Sequence, residues 1–225
     1  MMMLTKHEIF DLLKNPAILV VIILPIFMSK IIITAMNNAE IGLLLLSIWI
    51  LFAQVMVGIM LTGPNLIEER EGKTIDALLC SPLSFAQIVI AKGLVILTFS
   101  LFSQSFVFFI NEGFSRAIIP MLFPMLLGGI IFIQIGIVIG FKINSSKNGS
   151  AVSSIIMVTL FLIVSVYEVL PDWTYRIFMF IPSIGIIEVL KNLATYNTVA
   201  PLETFLSFAW VFALGSWIGL IGREY

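Results

Sequence analysis

One cysteine, Cys80, and one histidine, His7, stand in a chain of 225 residues. A lone cysteine excludes a disulfide framework within the chain and a zinc site built from thiolates. A lone histidine excludes histidine-rich metal chemistry, so no metal site is expected. Charge is equally scarce. Only 11% of residues are Asp, Glu, Lys or Arg, against about 25% in a soluble domain. The net charge of −1 lacks the basic excess that nucleic-acid binding requires. Hydrocarbon fills the place of the missing charge: 60% of the residues are hydrophobic, with a mean hydropathy of +1.13. Globular packing of a chain this long cannot hide so much apolar surface, so lipid is its solvent.

About 20 mainly apolar residues cross a bilayer as a helix, because every backbone amide must find its partner internally. Six stretches qualify: Ala17–Met36, Ile41–Thr62, Ile88–Ile110, Ala117–Phe141, Val152–Tyr167 and Phe205–Ile221. The first runs too long for the apolar core of a signal peptide and lacks a small-residue cleavage site, so it is read as a span retained in the mature protein. With the N-terminus placed in the cytoplasm, the inside segments hold Lys6, Lys14, Arg70, Lys73, Lys92, Lys142, Lys147 and Arg223. The outside segments hold Arg116, Arg176 and Lys191, and Lys30 lies within a span. Positive charge collects on the inside, which puts both termini in the cytoplasm and the protein in the cytoplasmic membrane. The chain is thus an all-α membrane protein of one transmembrane domain, residues 1–225.

Residues 1–16 read as an interfacial elbow helix. Thr5 and Glu8 form a capping box, Ile9, Phe10, Leu12 and Leu13 alternate with Lys6, Glu8, Asp11 and Lys14, and Pro16 turns the chain into the bilayer. Asn37–Glu40 and Asn111–Arg116 are tight external turns, and Lys142–Ser150 is a short polar internal loop. Two connections are longer, and long loops in a compact protein commonly carry function. One is internal, residues 65–87; the other is external, residues 168–204.

In the internal loop, Glu68, Glu69 and Glu71 cannot lie in lipid and carry the helix of the second span into the cytoplasm. Gly72 marks a break. Thr74 caps a short helix that puts Ile75, Leu78 and Leu79 on one face at i, i+3 and i+4. Pro82, after Ser81, stops it, and Ser84 with Gln87 forms a second capping box at the third span. An apolar face held beneath the membrane either slots into a partner's groove or rests on headgroups.

The order Glu-Glu-Arg-Glu-Gly-Lys-Thr, Leu-Leu, Ser-Pro-Leu-Ser, then a span opened through Ala-Lys, resembles the signature of ABC-2 type transporter permeases. Lys73 intervenes between Gly72 and Thr74, which are adjacent in the family pattern. Leu170-Pro171, the aromatic stretch Trp173–Phe180, Pro182 and the run Ile187–Lys191 resemble the family's segment between spans five and six. The resemblance implies a coupling helix within Glu68–Gln87 that docks on a separate nucleotide-binding ATPase. It also implies re-entrant external helices within 168–204 and a second permease subunit, identical or paralogous. Read from the residues alone, Trp173, Tyr175 and Tyr196 are interfacial anchors, and Pro182 divides two pieces each too short to cross.

Catalysis within this chain is not expected. Gly72-Lys73-Thr74 invites a phosphate-loop reading, but Ile67 occupies the position where that loop needs its first glycine, and no strand precedes it. Any ATP and Mg therefore belong to the partner ATPase. Glu68-Glu69 resembles the paired-glutamate motif of membrane prenyl-protein endopeptidases, which need Arg where Lys73 stands and histidines within the membrane. A serine-type mechanism would have Lys30 alone as base. Lys30 lies roughly 9 Å along a helix from the external end of its span and can snorkel outward, with Glu168 and Glu40 as partners. Gln54, Gln104 and Gln134 sit mid-span, where amides face protein or a water-filled path. With Lys30 they are the candidate translocation path, or else interhelical ties. Gly128, Gly129, Gly136 and Gly140 allow close approach, within the chain or to a second copy. The leading expectation is an ATP-driven exporter of small amphipathic or hydrophobic cargo, a drug or membrane-active peptide. The alternatives are a membrane-embedded immunity or sensor protein and an ATP-independent secondary carrier.

Overall fold

The structure, a computed structural model, describes residues 9, 12–36, 39–75, 80 and 84–223. Among these there is no strand. The six spans are α1 (Pro16–Met36), α2 (Ala39–Glu71), α3 (Phe85–Glu112), α4 (Ile118–Lys142), α5 (Ser146–Tyr167) and α8 (Pro201–Ile221). Between α5 and α8 lie a single 3-10 turn (Asp172–Thr174) and two further helices, α6 (Tyr175–Phe178) and α7 (Pro182–Tyr196). Of residues 1–16, expected as an elbow, Leu12–Lys14 are helical and Leu12 is buried; residues 1–8, 10 and 11 lie outside the described residues.

Local sequence sets several of the ends. Ser84 Oγ accepts from the Gln87 amide at 3.3 Å and Gln87 Oε1 accepts from the Ser84 amide at 3.0 Å, the reciprocal box expected at the start of α3. Gly113 closes that helix at φ 70°, a conformation glycine reaches without strain. Pro182 and Pro201 open α7 and α8 at the first turn, where a missing amide hydrogen is harmless. The expected internal loop over 142–150 is shorter than the sequence suggested, because α5 already begins at Ser146. Its first turns are polar yet helical, since carboxylates from α2 serve the amide end of the helix, as described below.

Spans α2 and α4 form the centre, and α1, α5 and α8 turn most of their surface outward. Around α2 pack α1, α3, α4, α5 and α7. The central pair meets along one ridge on each helix, in steps of four residues. Gln54, Gly58, Thr62 and Leu66 of α2 lie against Gly128, Phe132, Gly136 and Gly140 of α4. A Cβ on Gly58 would come within 2.8 Å of Phe132 Cβ, and one on Gly136 within 2.6 Å of Thr62 Cβ and 2.9 Å of the Gly58 carbonyl oxygen. In lipid no hydrophobic effect drives helices together, so association depends on such backbone-close packing. The glycines of the fourth span that could have served a second copy are therefore used within the chain. Gly129 follows suit, meeting Leu97 of α3.

Candidate coupling and translocation residues

At the C-terminal end of α2 four charged residues follow one another, Glu68, Glu69, Arg70 and Glu71. Successive residues of an α-helix point about 100° apart, so four in a row fan out around the axis. Here the helix is surrounded, and the four charges reach three neighbouring helices. Glu69 Oε1 accepts from Lys92 Nζ of α3 at 2.7 Å, with the lysine buried to 4% exposure. Arg70 Nη1 donates to the carbonyls of Gly140 (2.9 Å), Phe141 (3.0 Å) and Ile143 (3.1 Å), and Nη2 to Asn144 Oδ1 (3.3 Å). A cation thereby caps the carbonyl end of α4, where the helix dipole is negative. Glu71 Oε1 accepts from the Ser146 amide at 3.0 Å and Glu68 Oε1 from Ser146 Oγ at 3.4 Å, so two anions serve the positive end of α5. The end of α2 is thus pinned to the adjoining ends of the next three spans, α3, α4 and α5.

Beyond Glu71 the helix stops, as Gly72 suggested. The left-handed conformation that reverses the chain belongs to Lys73, at φ 55°, rather than to the glycine. Thr74 is already helical, so the position preceding the new helix is that of Lys73 and not of Thr74. Ile75 turns inward and is buried in the chain's own core. Leu78, Leu79, Ser81 and Pro82 lie outside the described residues, and Cys80 is exposed.

The four candidate path residues do not converge. Gln54 and Gln104 are fully buried and meet each other, with Gln54 Nε2 donating to Gln104 Oε1 at 3.0 Å and to the Pro124 carbonyl at 3.1 Å. Gln104 Nε2 in turn donates to Ser100 Oγ at 2.8 Å. This chain of amides ties α2, α3 and α4. Gln134 lies apart and donates to the Val211 carbonyl of α8 at 3.3 Å. Lys30 is exposed on the outer surface of α1.

Sequence reasoning offered Glu168, beside Glu40, as a partner for Lys30; the structure pairs Glu168 with another lysine. Lys191 Nζ donates to Glu168 Oε1 at 3.0 Å and Oε2 at 3.2 Å, and to Glu188 Oε1 at 3.0 Å. Burial by itself disfavours the ammonium, but the bond to Glu168 and the charge of Glu188 outweigh it and raise the Lys191 pKa above 10.5. Tyr175 is held above its usual range by burial and by its hydrogen bond to Glu203. Both links fasten the segment between α5 and α8 to its neighbours. The i, i+3 pairing of Glu188 with Lys191 was the available sequence signal. Glu168 lies 23 residues away from that lysine and carried none.

The chain matches, over residues 28–222, a family model described as ABC-2 family transporter protein. No curated protein matches it.

Proposed function

From the premise that the chain belongs to the ABC-2 transporter family, we propose that it is the permease subunit of an exporter powered by ATP hydrolysed on a separate polypeptide. The charged fan at the end of α2 is the observation that carries this reading. A loop that hung loosely beneath the membrane would dissipate any push from below. Here residues 72–83 issue from a helix end bound to α3, α4 and α5, so a displacement of the loop moves four spans together. Such a joint is what a transporter needs to convert nucleotide-driven motion into a change of access, because packed helices shift between discrete arrangements rather than deform smoothly. The apolar pair Leu78 and Leu79 supplies the surface for a groove on the ATPase, and Glu68, Glu69, Gly72, Thr74, Ser81 and Pro82 belong to the same coupling segment. Both termini lie in the cytoplasm, and the helices between α5 and α8 enter the outer leaflet. A second permease subunit completes the pathway. The cargo is small and amphipathic or hydrophobic, since between the spans the external connections offer no large domain to receive a polymer.

Affinity-tagged chain purified from its own membranes should bring down a nucleotide-binding ATPase and hydrolyse ATP only in that company. Leu78→Asp places an unpaired charge in the proposed contact, at a cost of several kcal/mol, and should abolish the association while the chain stays monodisperse. Glu69→Ala should instead keep the ATPase bound and hydrolysing, yet lose export. Full association and export in Leu78→Asp would remove the coupling assignment and favour a sensor or immunity protein. Export without any ATPase would favour a secondary carrier.

A further inference from the structure

A cavity of about 420 Å³ lies between α3, α4 and α8, within the size range of small-molecule sites. Its walls are hydrocarbon, from Val89, Leu94 and Leu97 on one side to Ile130, Ile137 and Ile218 on the other. Gln134 is the one polar side chain among those lining it, and its amide donates to the Val211 carbonyl. Glycines open the space, in contrast to those between α2 and α4. A Cβ on Gly219 would meet nothing within 4 Å, and one on Gly93 would meet only Ile133 Cγ2 at 3.7 Å. Helix packing therefore does not require glycine at either position, and the room they leave belongs to the cavity.

Its extent and the charges that follow its Phe85 end in the chain point to an occupant. From Phe85 to Leu97 the cavity follows α3 for roughly 18 Å at 1.5 Å per residue, comparable to the ~15 Å depth of one leaflet's hydrocarbon. At the end nearer the helix termini the Phe85 ring packs at a tilt against Phe141, 5.1 Å between centroids, and lies against Gly222. Lys142 and Arg223 follow those two residues directly in the chain, and both are exposed. We propose that this groove holds one acyl chain of an anionic phospholipid, with its headgroup at Lys142 and Arg223. Basic mouths between helix ends at the cytoplasmic face are suited to such headgroups. The leaflet follows from the cytoplasmic placement of the termini; the groove and its two cations do not depend on it.

The full chain, incorporated into bilayers of equal parts phosphatidylcholine and phosphatidylglycerol and then extracted into mild detergent, can be weighed with its retained lipid by native mass spectrometry. One phosphatidylglycerol per chain is expected, with about a tenfold preference over phosphatidylcholine. Gly219→Leu and Gly93→Leu fill the groove from opposite walls, and each should lower retention about tenfold without lowering the thermal midpoint. Gly42→Leu, whose Cβ also meets nothing within 4 Å, should bind like the parent. Lys142→Gln with Arg223→Gln should keep a lipid but lose the preference. Equal retention of both lipids by the parent chain, or parental retention in both leucine variants, overturns the proposal. So does a disulfide between two chains carrying Gly219→Cys with Cys80→Ser, which would assign the groove to a second copy. The assay contains no ATPase and no nucleotide, so its outcome is separate from that of the exporter reading.

Discussion

Replacing Gly136 by alanine tests whether the ridge between α2 and α4 holds the centre of the protein. The added Cβ would stand 2.6 Å from Thr62 Cβ, 3.2 Å from Thr62 Cγ2 and 2.9 Å from the Gly58 carbonyl oxygen. Carbon atoms are comfortable at about 3.5–4.0 Å, so the helices must part by about 1 Å, and a gap of that size forfeits a quarter to a half of each contact along the seam. Two of the three atoms are backbone or Cβ and cannot swing aside. Overpacking of this kind costs about 1–3 kcal/mol, and alanine's better helix propensity returns no more than about 1 kcal/mol. For a chain of this size 1 kcal/mol corresponds to about 2–4 °C, so the thermal midpoint of detergent-purified Gly136→Ala should fall by several degrees. Gly219→Ala makes the same chemical change where the Cβ meets nothing within 4 Å, and its midpoint should hold or rise slightly. The comparison can be read by size-exclusion chromatography after stepwise heating. Equal midpoints for the two variants would refute the argument that α2 and α4 are held by glycine-limited approach.

Arg70→Gln removes the cation that serves three carbonyls at the end of α4. It should cost about 1.5–3 kcal/mol, the range for hydrogen bonds to charged groups, with Arg70→Lys recovering only part because an ammonium cannot present the planar fork; an unchanged midpoint in Arg70→Gln would refute the capping role. In a Cys80→Ser background, cysteines at Ser115 and Asn197 should react with an impermeant maleimide in intact cells, and one at Lys147 only after permeabilisation; labelling of position 147 from outside would invert the topology. The Lys191 pKa is raised in the fold, so its contribution is complete below the unfolded value of 10.5 and disappears as pH climbs through the higher folded value. Stability should therefore be level across neutral and mildly basic pH, with loss of the Glu168–Lys191–Glu188 link beginning only above about 10.5; a Lys191-dependent fall between pH 7 and 9, absent from Lys191→Met, would contradict it.

The spans were legible because a membrane crossing is written locally: some twenty apolar residues in succession satisfy the requirement by themselves. Caps were legible for the same reason. Ser84 and Gln87 are three residues apart, and the box they form needs nothing else. The break after Glu71 was readable too, although Lys73 rather than Gly72 takes the left-handed turn. The start of α5 was not readable, because Ser146 is held by carboxylates 75 and 78 residues earlier in the chain. Nor did the sequence say which way each charge at 68–71 would reach, since that depends on which helix end lies beside α2. Glycines 58, 136 and 219 look alike in sequence, yet two are pressed against backbone and the third faces open space. Sequence alone determined that the chain lives in a bilayer, crosses it six times and, Lys30 aside, carries its charges toward the crossings' ends and in the connections. Only the tertiary structure decided which of those charges are ties and which glycines leave room, because both are properties of distances between helices, and no local pattern encodes a distance to a residue seventy positions away.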